Sequence, residues 1–112
     1  VKKRFFKGLE DLSTDNTEII YHGVEPREKT KKSNYITFVG KLNYAKGYDL
    51  YKNALIKILD MYPDWKGLSV GDESRRKIYI DHKQHKELGF LNHKKTLAIL
   101  DKSNIAVVPS RW

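Results

Sequence analysis

The segment Tyr35–Val39 reads YITFV and stops at Gly40, and no other stretch restricts the fold so much. It is rich in β-formers and barely alternates with polar residues, as a strand covered on both faces must be. From Gly47 to Tyr62 the apolar period becomes helical: Leu50, Ala54, Leu55, Ile58, Leu59 and Tyr62 form one stripe, with Lys52, Asn53, Lys57 and Asp60 largely off it. Pro63 ends that helix. The alternation then recurs. Leu68–Val70 is a short strand closed by Gly71, Glu73–Ile80 reads as a helical turn, and Glu87–Leu91 is a third strand broken by Gly89. Lys94–Leu100 is a second amphipathic helix carrying Leu97, Ile99 and Leu100, and Ile105–Val108 is a fourth strand ended by Pro109.

Strands without polar-out alternation, separated by helices, predict an α/β fold: a parallel sheet with crossover helices. In a doubly wound sheet the first three strands run outward in the order 3-2-1, and the fourth lies on the other side of the first. Ligands then bind where the winding reverses, beyond the carboxyl ends of strands 1 and 4. The loop Gly40–Lys46 follows strand 1, and Pro109–Trp112 follows strand 4.

Upstream, Val1–Leu12 spaces Phe5, Phe6, Leu9 and Leu12 as a helix would, and Glu18–Tyr21 is a short strand closing at His22-Gly23. Glu25–Ser33 is polar and holds a proline, which reads as a loop. Residues 1–33 therefore divide from 34–112, the sheet-bearing part. No apolar run is long enough to span a bilayer. Cysteine is absent, which removes thiolate nucleophiles and cysteine metal sites.

The loop after strand 1 carries the chemistry. Gly40 lets the backbone leave the strand without a Cβ in a ligand's way. Gly47 opens the helix, whose free N–H groups favour an anion, and Lys41 and Lys46 add two ammonium groups. Such a bend suits a diphosphate without a metal, although solvated lysines near a helix start are common in a lysine-rich chain. Neither G-x-G-x-x-G nor G-x-x-x-x-G-K-[ST] is present.

His22-Gly23-Val24, ITFVGKLNYAKGYDL at 36–50, LSVGD at 68–72, LGFLNHKKTLAIL at 88–100 and IAVVPSRW at 105–112 together resemble the donor-binding lobe of a retaining glycosyltransferase. The family is the GT-B-fold group known as family 4, the glycosyl transferases group 1. The resemblance implies a partial C-terminal lobe of a GT-B fold: residues 1–33 as linker helix, short strand and interdomain loop, and 34–112 as an incomplete Rossmann-like nucleotide-sugar-binding domain. The family's G-R-L-x-x-x-K-G block corresponds to Gly40-Lys41-Leu42 through Lys46-Gly47, with lysine replacing arginine at 41. Its charge remains, but arginine's bidentate fork is lost. His22 stands where the family has asparagine.

By this resemblance Lys41 and Lys46 are the catalytic cations, stabilising the departing diphosphate. Gly40, Lys41, Lys46, Gly89, Phe90, Leu91 and Ser110 bind the donor, with Gly89–Leu91 flanking the base. The expected activity is that of a hexosyltransferase-type enzyme. Its donor is an NDP-sugar, with no further cofactor and no metal, and its acceptor is a glycan or lipid held by a second lobe. Cell-surface polysaccharide or lipopolysaccharide synthesis is the implied setting. The implied location is the cytoplasm, with peripheral membrane association of the full enzyme. The family's Glu-Pro-Phe-Gly-type stretch would follow Ser110-Arg111-Trp112, so these residues alone are expected to transfer no sugar.

The net charge of +8 keeps a second reading open, a basic Rossmann-like module for nucleic acid or another polyanion. Against it, the lysines are scattered over every segment and no aromatic-and-basic stripe is present. A receiver-like interaction domain would need an acidic cluster after strand 1, which is lacking. His82, His85 and His93 do not have familiar metal-ligand spacing. Arg75-Arg76-Lys77 reads as a solvated helix start, and Trp65 as a core contact at the helix end. Ser110 has no placeable triad partner.

Overall fold

The computed structural model describes residues 29–111. The expected helix Val1–Leu12, the strand Glu18–Tyr21, the start of the following loop and Trp112 lie outside them. The apolar run around Ile36 becomes β1 (Ser33–Val39), followed by helix α1 (Tyr48–Met61), β2 (Lys66–Val70), β3 (His85–Gly89), helix α2 (His93–Lys102) and β4 (Ser103–Val107). The four strands form one sheet in the order β3-β2-β1-β4, and every pairing is parallel. This is the expected Rossmann-like winding. β1 is central, and Ile36, Thr37 and Phe38 are all buried, as a strand covered on both faces requires.

The core lies between α1 and the sheet: Ile36, Phe38, Leu42, Tyr48, Tyr51, Leu55 and Leu59, with Trp65, Ile78, Ile80 and Val107 packed around them. The helix meets the sheet through Tyr48, Tyr51, Leu55 and Leu59, which corrects the expected stripe. Leu55 and Leu59 belong to both, but Leu50, Ile58 and Tyr62 are exposed. Tyrosines took the inner ridge because their hydroxyls find partners there. Tyr51 Oη donates toward the Ile36 and Leu68 carbonyls at 2.6 and 3.0 Å, and Tyr48 Oη donates to Ser69 Oγ at 2.8 Å. Burial pushes the Tyr48 hydroxyl up to about 12, so it stays a neutral donor. Close packing of α1 on β2 depends on Gly67, where a Cβ would lie 2.5 Å from Leu55 Cδ2.

Thr37 points to the other face. It shares a 2.7 Å hydrogen bond with Ser103 Oγ, which donates to the Ile99 carbonyl of α2 at 2.8 Å. That anchor starts β4 at Ser103, two residues before the expected Ile105. β4 is one of the two edge strands, with Asn104, Ile105 and Ala106 exposed. α2 begins at Asn92, whose side chain accepts from the Lys95 N–H at 2.8 Å.

Two further expectations fail. Glu73–Ile80 forms no helical turn, and Arg75-Arg76-Lys77 therefore starts no helix. The Ile78 N–H donates to the Leu42 carbonyl at 3.0 Å, and Ile78 and Ile80 pack on the core from an extended segment. The third strand ends at Gly89 rather than continuing to Leu91. Gly89 has φ +72°, and it turns Phe90 and Leu91 out of the sheet.

Beneath β2, Ser69 Oγ lies 2.7 Å from His85 Nε2. Ser69 accepts from Tyr48 and shares its bond to His85 Nε2 in a direction set by the imidazole tautomer. Burial lowers the pKa of His85, with His82 adding to the effect and Glu87 opposing it. The folded chain therefore binds this proton less readily than the unfolded chain. Its stability contribution is intact above the ordinary histidine range and is lost as pH falls through the depressed folded value. Urea melts between about pH 7.5 and pH 5 should show stability falling as pH drops, and His85→Gln should flatten that fall. An unchanged profile in the variant would contradict the buried neutral ring.

Candidate functional site

At the carboxyl ends of β1, β2 and β3 the chain continues as bare backbone. Gly40, Gly71 and Gly89 all have positive φ, at +148°, +143° and +72°. The Gly40 N–H donates to the Val70 carbonyl at 2.9 Å, and the Gly71 N–H to the Gly89 carbonyl at 2.8 Å. These bonds extend the strand pairing by one step beyond each strand. A Cβ on Gly71 would lie 1.8 Å from the Gly40 carbonyl oxygen, so no side chain fits between the two loops. Above them opens a pocket of about 370 Å³, bordered by Gly40, Lys41, Gly71, Asp72, Phe90 and Leu91. Phe90 is 80% exposed at its mouth.

The loop after β1 is held by Asn43, which sequence reading missed. Its Oδ1 accepts from the Lys46 N–H at 3.0 Å, and its Nδ2 donates to Glu73 Oε2 at 2.6 Å. The first bond is the local turn chemistry that asparagine favours, and it is the one signal the sequence offered. The second ties the loop after β1 to the loop after β2. The Asn43 bond, helped by the Arg75 N–H, holds the Glu73 carboxyl below its usual range. Lys46 folds back over the turn, its Cγ 3.9 Å from where a Cβ on Gly40 would stand. Gly40 thus lies between the stem of Lys46 and the pocket that Lys41 borders.

The start of α1 differs from expectation. Gly47 caps the helix in the left-handed conformation, but the first amides are already used. The Gly47 N–H donates to the Tyr44 carbonyl, and the Tyr48 N–H to the Asn43 carbonyl. Asp49 stands in the first turn, answering the positive end of the helix dipole. Arg111 grips it with two bonds, Nη1 to Oδ1 at 2.7 Å and Nη2 to Oδ2 at 2.9 Å, and lowers its pKa. The guanidinium also lies 3.6 Å from the centre of the Tyr44 ring. The segment after β4 is therefore clamped over this helix end. Pro109 comes so close that a Cβ on Gly47 would meet its carbonyl oxygen at 2.1 Å. Nothing in the pattern of Arg111 and Asp49, 62 residues apart, revealed this clamp.

Of the expected site residues, Gly40, Lys41, Phe90 and Leu91 border the pocket directly, and Gly89 supports its floor through the bond to Gly71. Lys46 does not line the pocket; its stem passes near Gly40. Ser110 is exposed, on the segment clamped across α1. Among the described residues no three metal-ligating side chains converge. His82 Nε2 lies 2.8 Å from Asp60 Oδ1.

Residues 24–112 match the model of the family described as glycosyl transferases group 1, and the chain belongs to this family. No curated protein and no solved structure matches the chain. The family's reaction is glycosyl transfer, so its substrates are a sugar donor and an acceptor.

Three substitutions check the geometry. Gly71→Ala should lower stability by more than about 2 kcal/mol, because the added carbon meets fixed backbone. Gly89→Ala, which has positive φ but open space, should cost only about 1 kcal/mol. Equal losses in chemical melts would contradict the close loop contact. Asn43→Ala should cost about 1–2 kcal/mol and speed amide exchange at Lys46.

Proposed function

We propose that this group 1 glycosyl transferase chain holds the nucleoside diphosphate of an NDP-sugar donor at the carboxyl ends of β1, β2 and β3. One observation carries this reading: a 370 Å³ pocket whose walls are opened by Gly40 and Gly71 and whose edge is cationic at Lys41. The base fits between Gly71 and the Phe90–Leu91 segment, and the diphosphate extends over Gly40 toward Lys41 and Lys46. Ser110, on the segment after β4, would contact the sugar by the family resemblance.

In transfer, an acceptor oxygen bonds to the anomeric carbon and passes its proton to the departing diphosphate, while the bond between that carbon and the diphosphate oxygen breaks. Its electron pair stays on that oxygen. Lys41 and Lys46 meet the growing charge, a type of stabilisation that typically amounts to ~3–4 kcal/mol per preorganised donor. The helix dipole does less here than in a phosphate-binding loop, since Asp49 and the loop carbonyls already occupy the first turn. The two ammonium groups must therefore supply most of the favourable field. Retention of configuration, a GT-B arrangement with a second lobe for the acceptor, and a place in cell-surface glycan or lipopolysaccharide synthesis follow from the family-4 resemblance. Cytoplasmic work at a membrane surface is consistent with the described residues, where no helix is long and apolar enough to cross a membrane.

Calorimetric titration with UDP, GDP and ADP tests the site. One of the three should bind, and Lys46→Ala should weaken it about tenfold. Absence of heat with all three, or unchanged affinity in the variant, would overturn the reading. Binding that ignores the base and falls steeply with salt would favour the polyanion module instead.

A further inference from the structure

We propose that a second, larger cleft beside the donor pocket binds a phosphate carried by the acceptor. This cleft has a volume of about 930 Å³ and lies between the loops after β1 and β2. Its charged walls are Lys41, Arg75, Arg76 and Glu73. The carboxylate is already committed: Glu73 accepts from Asn43 Nδ2 at 2.6 Å and from the Arg75 N–H at 3.2 Å. The two guanidinium groups are not: among the described residues neither Arg75 nor Arg76 is in a salt bridge, whereas Arg111 is paired with Asp49 and Lys77 with Glu87. Lys41 makes no close ion pair, but its charge helps to hold the Glu73 carboxyl down.

Two guanidinium groups and an ammonium group on one concave wall repel one another until an anion enters. Arginine's planar fork suits the oxygens of a phosphate. The wall is also built rather than loose. The Ile78–Leu42 backbone bond and the Asn43–Glu73 side-chain bond join the two loops, and Ile78 and Ile80 anchor the second loop in the core. Lys41 borders both cavities, so the cleft opens next to the place where the donor's diphosphate would lie. The donor pocket has its own glycine-lined walls and does not need Arg75 or Arg76. A second anion held beside the donor's diphosphate fits a phosphate on an acceptor whose remainder the second lobe holds. Assignment to the acceptor rests on the donor reading above; the presence of an anion site does not.

The test is an NMR titration of the ¹⁵N-labelled chain with glycerol 3-phosphate, alone and with the tightest-binding nucleoside diphosphate present. Glycerol 3-phosphate should shift the amides of Arg75 and Arg76. Arg75→Ala/Arg76→Ala should weaken that binding about tenfold or more, while nucleotide shifts at Gly71 and Leu91 persist. Both arginines are exposed, so the melting temperature should barely change. The paired variant Lys57→Ala/Lys66→Ala, remote from the cleft, should leave the titration unaltered. The proposal is overturned if the arginine amides do not respond. It is equally overturned if the remote lysine variant weakens binding as much, or if the nucleotide displaces glycerol 3-phosphate. The last result would give the cleft to the donor's own diphosphate. Loss of nucleotide shifts with the arginine response intact would instead sink the donor reading alone.

Discussion

Two loops touch through bare backbone where Gly71 passes the carbonyl of Gly40, and the rest of the site depends on that contact. A parallel sheet brings every strand out at the same end, so the connecting loops crowd together there. Here the crowding is relieved by omitting side chains. With glycine at 40, 71 and 89, the three strand ends stay hydrogen-bonded one step past the sheet, and the space above them remains open. A side chain at Gly71 would force the loops apart and remove the floor of the pocket. Fold and site therefore share one constraint.

The same crowding explains how charge is arranged. A free helix N-terminus would be the simplest anion site, but the start of α1 is closed by its own loop, by Asp49 and by Arg111. That closure binds the segment after β4 to the start of the helix. In the proposed reading, anion binding then falls to flexible side chains. Lysine suits this position, since a mobile ammonium can follow charge as it moves onto a leaving group, while arginines in the neighbouring cleft suit a fixed phosphate. Lys41, which borders both cavities, would stand between a reacting and a non-reacting anion.

Much of this was legible in the sequence. The buried run around Ile36, the helical period after Gly47 and the glycines after the first three strands were enough to give the sheet order β3-β2-β1-β4. What escaped was decided by tertiary contacts. The inner face of α1 was misplaced because Tyr48 and Tyr51 count as half-polar in a hydrophobic pattern, yet bury fully once Ser69 and two strand carbonyls accept their protons. The segment 73–80 looked helical because its charges are spaced like a helix start. A backbone bond to Leu42 and two isoleucines two apart made it extended instead. Asn43, Asp49 and Arg111 carry no periodic signal at all, and their roles exist only after the chain has brought positions 30 to 62 residues apart into contact.

The central claim is spatial: a nucleoside diphosphate occupies the glycine-walled pocket, with its phosphates over Gly40. A crystal structure of the chain soaked with the nucleotide that binds in solution tests it most directly. Density for the base against Gly71 and Leu91, with both phosphates reaching Lys41 and Lys46, is the predicted result. Phosphates seated at the amino ends of the strands, or a base outside this pocket, would contradict it.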